Sequence, residues 1–307
     1  MSYDVIIIGG GPAGLTAGLY AGRANLKTAL VERGMPGGQA ATTEMIENYP
    51  GFPEGIMGPE LMMRMADQAR RFGVEFVTTN VERVREEDGR FILSCTDREM
   101  VGRALIIATG AEPKELGVKG ERELRGRGVS YCATCDGAFF RDKKVAVVGG
   151  GDAAVEEALF LTKLVDKVYL IHRRDALRAT KVLQERAFAN PKIEFIWNTT
   201  VAEILGTDKV EALLLQDAKT GEKRSIAVDG IFIYIGMKPN TEFIRELARV
   251  DEGGYLITDD NLMTSIPGIF AAGDVRQKKL RQVITAAADG AMAAVAVEKY
   301  LEEKKMR

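Results

Sequence analysis

Cys132-Ala133-Thr134-Cys135 is the segment of this sequence with the most direct access to chemistry. Two cysteines two residues apart can ligate a metal or exchange thiol for disulfide through a thiolate. The chain has 307 residues and three cysteines, too few for a structural disulfide framework. A zinc site wants four ligands, and only Cys95 and the single histidine, His172, could complete one. His172 has a better place in a second pattern, so no metal is expected. Cys95 lies in a strand-like stretch and reads as a small core residue.

That second pattern is a glycine motif that occurs twice. Gly9-Gly10-Gly11-Pro12-Ala13-Gly14 follows the apolar run Asp4–Ile8 and opens a helix expected over Pro12–Arg23. In this strand–turn–helix setting Gly9 permits the turn, Gly11 lets a pyrophosphate approach the backbone, and Gly14 lets helix and strand pack closely. Free N–H groups and the dipole at the helix start favour phosphate. A second strand, Lys27–Val31, leads to Glu32, 23 residues after Gly9 and near the spacing expected of an acid that binds ribose hydroxyls.

The motif returns as Gly149-Gly150-Gly151-Asp152-Ala153-Ala154 after the strand Val145–Val148, with a helix expected over about 153–165 and a strand over Lys167–Ile171. Here the same 23-residue count from Gly149 reaches His172, followed by Arg173 and Arg174, with Arg178 close in sequence. An acid at that place would repel a 2′-phosphate, whereas guanidinium groups can bind one bidentately. The first turn therefore reads as a site for a dinucleotide with a free ribose hydroxyl, and the second as a site for NADP(H).

The elements that must position these residues divide the chain. Ala104–Ile107 is a buried strand that runs into the small-residue turn Ala108-Thr109-Gly110, as needed where backbone meets a cofactor. Ile231–Ile235 repeats that form before Lys238-Pro239-Asn240. The second glycine unit lies between these strands and so is expected to be inserted into the first domain. Gly51–Gly58 reads as a loop, Pro59–Phe72 as a helix, and 281–302 as a tail helix.

Composition bounds the remaining possibilities. A hydrophobic fraction of 46% and a charged fraction of 28% are those of an ordinary globular protein. A net charge of −2 gives no argument for a nucleic acid or an anionic membrane as partner. No signal segment is legible at the N-terminus and no apolar run is long enough for a membrane span, so a cytoplasmic location is expected.

Taken together, Gly9–Gly14, Gly37-Gly38-Gln39, Ala108-Thr109-Gly110, Cys132–Gly137, Gly149–Ala154, His172–Arg174, Ala271–Val275 and Arg281-Gln282 resemble the motifs of the low-molecular-weight thioredoxin reductases, over essentially the whole chain. Glutathione-reductase-type enzymes place their cysteine pair soon after the first glycine unit, where this chain has none. The resemblance implies an α/β fold of two dinucleotide-binding, Rossmann-like, three-layer domains. An NADPH domain carrying the cysteine pair, residues 113–240, would be inserted into an FAD domain made of residues 1–112 and 241–307.

It also implies non-covalent FAD, with Gly273 and Asp274 at its ribityl and phosphate groups and Arg281 and Gln282 near the ring. Gly38, Gln39 and Asn48 would line the same cofactor. Family members are homodimers whose NADPH domain rotates during turnover, and the partner is thioredoxin or a thioredoxin-like protein. By analogy Cys135 is the flavin-proximal thiol and Cys132 attacks the partner disulfide. With His172 assigned to the second nucleotide, Asp136 is left as the acid/base. Two alternatives stay open: a reductase for another thioredoxin-like or peroxidase-system partner, and a non-catalytic flavin redox sensor.

Overall fold

The structure is a computed structural model that describes residues 2–43, 45–46 and 48–305, with the side chains of Met45, Thr134, Cys135 and Lys305 outside the description. It divides into two compact units, Met1–Glu112 with Lys238–Arg307, and Pro113–Met237. The chain is α/β with two Rossmann-like domains, one inserted into the other.

In the first unit the strand Ser2–Ile8 lies between Thr28–Glu32 and Glu99–Ile107, all parallel, with Glu75–Thr78 beyond Thr28–Glu32. Along the central strand Val5 and Ile7 face one core while Ile6 and Ile8 face another. That alternation with both faces apolar is what a strand covered on both sides requires. The helices Pro12–Arg23, Gly58–Arg71 and Val283–Lys305 supply apolar residues to the first core. An antiparallel meander, Val81–Glu87 with Arg90–Cys95 and the first half of Glu99–Ile107, contributes to the second. The other half of that long strand pairs with Ile269–Ala271.

The second unit repeats the plan. Its parallel sheet runs in the order Val129–Ser130, Gly230–Tyr234, Lys144–Gly149, Lys167–Ile171, Ile193–Ile196. Val145 and Val147 face the core shared with the helix Asp152–Leu161, and Ala146 and Val148 face that of the meander Thr199–Leu205, Ala212–Asp217, Lys223–Ala227. Element ends differ modestly from expectation. The helix after the second glycine turn ends at Leu161, the tail helix spans Val283–Lys305, and the expected loop at 51–58 contains a short strand, Ile56–Met57. Among the described residues no helix is long and apolar enough to cross a membrane.

Candidate functional sites

The first glycine turn borders a cavity of about 740 Å³ in the first unit. Gly9 has φ +106°, a conformation that L side chains rarely adopt. A Cβ on Gly14 would run into the carbonyl of Gly9, whereas one on Gly11 would meet nothing within 4 Å. Gly14 thus serves the packing of helix on strand, and Gly11 leaves open the space beside the cavity. Gly9, Gly11, Pro12, Ala13 and Glu32 line it, joined by Gly38 and Gln39, by Ala108, Thr109 and Gly110, and by Gly273, Asp274, Arg281 and Gln282. Gly14 is not among the lining residues. Asn48 enters indirectly, donating from Nδ2 to Gln282 Oε1 at 2.9 Å.

Two loops close around this turn. The Gly10 amide donates to Glu32 Oε2 at 2.7 Å, and the Gly37 amide donates to the Gly10 carbonyl at 2.7 Å. Asp274 Oδ1 is buried with no hydrogen-bond partner, and burial pushes its carboxyl above the usual carboxylate range. Arg281 Nε is likewise buried and unpartnered, while its guanidinium stands 4.2 Å from the Tyr255 ring centroid. A buried acceptor beside a large cavity calls for a donor from a bound group. Backbone turn, helix start, Glu32 and Asp274 together fit a flavin dinucleotide.

Several lining residues were not foreseen. Thr79 and Asn80 follow the carboxyl end of Glu75–Thr78, where sites in open α/β sheets gather, and that strand could have signalled them. Asn240 also lines the cavity and holds the Thr109 turn, receiving Thr109 Oγ1–H at 2.7 Å and donating from Nδ2 to the Thr109 carbonyl at 3.0 Å. Behind Gly273, Asp289 accepts its amide at 3.0 Å and Lys278 Nζ at 2.7 Å.

The second turn is built in the same way with different chemistry. The Arg178 amide donates to the Gly150 carbonyl at 2.7 Å, and Asp152 Oδ1 accepts the Thr180 amide at 2.6 Å, which folds the segment after His172 back onto the turn. The His172 ring is buried against Gly150, where any Cβ would collide with it. Burial, followed by the Arg178 charge, pulls the His172 pKa below the ordinary value and keeps the ring neutral at pH 7. Arg173, Arg174 and Arg178 are exposed, and no ion pair engages them among the described residues. A Cβ on Gly151 meets nothing within 4 Å, the same opening as at Gly11, with Ala153 exposed on the helix that follows. Such a turn, flanked by free guanidinium groups, suits a phosphorylated ribose.

The cysteine segment follows the edge strand Val129–Ser130 of the second sheet. Cys132 is half-buried and disulfide-bonded, whereas Cys95 is a free, buried thiol whose pKa burial pushes up. The side chain of Cys135 lies outside the described residues. Cys132 and Asp136 are joined by one helical turn, the Asp136 amide donating to the Cys132 carbonyl at 3.1 Å. Ser130, absent from the expectations, donates to Asp136 Oδ2 at 2.6 Å and accepts the Cys132 amide at 3.1 Å. Tyr234 Oη accepts the Ala133 amide at 2.7 Å. This loop holds a disulfide-bonded Cys132 one helical turn from a carboxylate that is bonded to Ser130.

Comparison with known proteins identifies the family. The family model for pyridine nucleotide-disulphide oxidoreductases matches residues 3–290. The chain belongs to that family.

Among curated relatives of this oxidoreductase, a thioredoxin reductase of Bacillus subtilis (strain 168) is 52% identical over 302 residues, covering 98% of this chain and 95% of that protein. Among solved structures, thioredoxin reductase of Lactococcus lactis matches with a TM-score of 0.85 at 50% identity, over 98% of this chain and 99% of the other. That of T. acidophilum matches with a TM-score of 0.82 at 35% identity, over 99% of both chains.

Proposed function

We propose that this oxidoreductase is an NADPH-dependent thioredoxin-disulfide reductase. The observation that carries the reading is the disulfide at Cys132, one helical turn from Asp136, on the unit whose glycine turn is flanked by free arginines. The net reaction is NADPH + H⁺ + oxidised thioredoxin → NADP⁺ + reduced thioredoxin.

The first unit would hold FAD non-covalently. Glu32 accepts from the ribose hydroxyls, Gly11 and the start of the helix Pro12–Arg23 bind the pyrophosphate, and Asp274 takes a ribityl hydroxyl. The second unit would hold NADPH at Gly149, Gly151, Asp152 and Ala153, with Arg173, Arg174 and Arg178 on the 2′-phosphate. There the buried His172 ring supports the turn. When bound, the flavin supplies two-electron transfer between NADPH and the disulfide.

The residues of the chain then carry the thiol chemistry. Two electrons and two protons convert the Cys132–Cys135 disulfide into two thiols. The Cys132 thiolate attacks one sulfur of the oxidised partner, and the departing partner sulfur takes a proton. The Cys135 thiolate attacks Cys132 of the resulting mixed disulfide, re-forming the internal disulfide and freeing the reduced partner. Asp136 serves as acid and base for these protons. The active form would be a cytoplasmic homodimer, as the resemblance to the low-molecular-weight thioredoxin reductases implies.

The test is NADPH oxidation by the purified flavoprotein with and without oxidised thioredoxin. Sustained turnover only when thioredoxin is present is the expected result. Reduction of the flavin with no turnover would mark a redox sensor instead, and turnover with only a peroxidase-system partner would redirect the substrate assignment.

A further inference from the structure

Building on the reading of Asp136 as acid/base, we propose that Ser130 is the positioning residue that lets Asp136 change protonation state without losing its hydrogen bond to the cysteine loop. Ser130 is 4% exposed at the end of its edge strand. A serine hydroxyl has one proton and two lone pairs, and three polar atoms surround this one: the Cys132 amide at 3.1 Å, the Cys132 carbonyl at 3.2 Å and Asp136 Oδ2 at 2.6 Å.

Two complete bonding patterns fit these distances. With Asp136 ionised, the hydroxyl accepts the Cys132 amide and donates to Oδ2, a short charge-assisted bond. With a proton on Oδ2, the carboxyl donates to Oγ and the serine proton turns to the Cys132 carbonyl. Oγ accepts the Cys132 amide in both. When the Cys132 thiol gives its proton to Asp136, the products are a thiolate and a carboxylic acid, no electrons move, and only one hydroxyl rotates.

Other charged and titratable groups share these surroundings. Arg127, Lys143, Lys209 and Asp229 line the same 200 Å³ cavity as Ser130 and Asp136, and Tyr234 is electrostatically coupled to Asp136. They are common to every variant compared, so differences between variants isolate the hydroxyl.

The test uses the full-length holoenzyme reduced with dithiothreitol, following the pH dependence of iodoacetamide alkylation of Cys132 by peptide mass, with flavin absorbance as the check of folding. Wild type should show an acidic inflection that Asp136→Asn removes. Ser130→Ala should move that inflection to higher pH by about one unit, equivalent to about a tenfold change in rate at a fixed pH within the window, because a carboxylate that loses a donor is harder to ionise. Ser130→Thr, which keeps the hydroxyl, should restore the wild-type profile. If Ser130→Ala does not fold, Ser130→Gly carries the same expectation. An unshifted inflection in the serine variants, alongside its loss in Asp136→Asn, overturns the role of Ser130 alone. A wild-type profile in Asp136→Asn overturns the acid/base reading and this inference with it.

Discussion

The backbone amide of Gly10 donates to the carboxylate of Glu32 at 2.7 Å, tying the first glycine turn to the end of the next strand across 22 residues. The same interval separates Gly150 from His172, whose ring packs against the second turn. One position of a repeated unit therefore carries an anion in one copy and a neutral ring beside exposed arginines in the other. On the proposed reading, the ribose chemistry of the two sites diverges at that point.

The arginines should decide between nucleotides. Replacing Arg173 and Arg174 together by glutamine removes the proposed charge-assisted partners of a 2′-phosphate. The ratio of kcat/KM for NADPH over NADH should fall by on the order of 100-fold or more. The loss should appear as a raised KM for NADPH with kcat on NADH little changed. Steady-state kinetics with both nucleotides checks it, and an unchanged ratio refutes the assignment.

Glu32 should govern flavin retention. Glu32→Ala takes away both the proposed acceptor for ribose hydroxyls and the observed acceptor of the Gly10 amide. FAD affinity should weaken by about tenfold to a hundredfold. Free-flavin fluorescence on serial dilution measures it, and wild-type retention would argue against the placement of the adenosine end.

Asp289 holds the Gly273 turn from behind. Its carboxylate is paired with Lys278, and the two side chains are 11% and 8% exposed. Asp289→Ala leaves the buried Lys278 ammonium without its carboxylate, keeping only the Thr285 carbonyl at 3.2 Å, which costs roughly 3–5 kcal/mol. Urea denaturation of the apoprotein should register that loss without reference to flavin. A change under about 1 kcal/mol would show that Lys278 readily finds water.

Glu157 predicts a pH dependence of stability. Burial, with a smaller contribution from the Glu156 charge, raises its carboxyl from 4.5 to about 7, and Oε2 is buried without a partner. The folded protein keeps a proton that the unfolded chain releases. The associated stability is fully present below pH 4.5 and is lost as pH rises to about 7, by on the order of 3 kcal/mol. Glu157→Gln should flatten that part of the profile in denaturation measured from pH 4.5 to 8. An equal slope in both proteins would place the proton elsewhere.

These sites were unevenly legible in the sequence. Gly9, Gly14 and Gly149 could be read because a turn with positive φ, or a helix pressed against a strand, admits almost no other residue, and such constraints leave fixed spacings. The apolar run up to Ile8 could be read as a strand because both faces of a central parallel strand are buried, so the run is continuous. Ser130 left no comparable trace. A serine before a cysteine motif has no periodicity, and its meaning arises only when the chain turns Asp136 back toward it. Asp289 and Asn240 are similar, since their partners Lys278 and Thr109 are matched by tertiary folding. The burial of His172 could not be read from its spacing, which marked the place of the side chain but not that it lies beneath Gly150.

The central claim is that electrons leave this protein through the Cys132 sulfur. The most direct measurement is anaerobic, on Cys132→Ser holoenzyme, following flavin absorbance on addition of NADPH and then thiol release from oxidised thioredoxin. The account predicts that the flavin bleaches as in wild type while thioredoxin reduction falls to background. Thioredoxin reduced at a rate near wild type by this variant would contradict it.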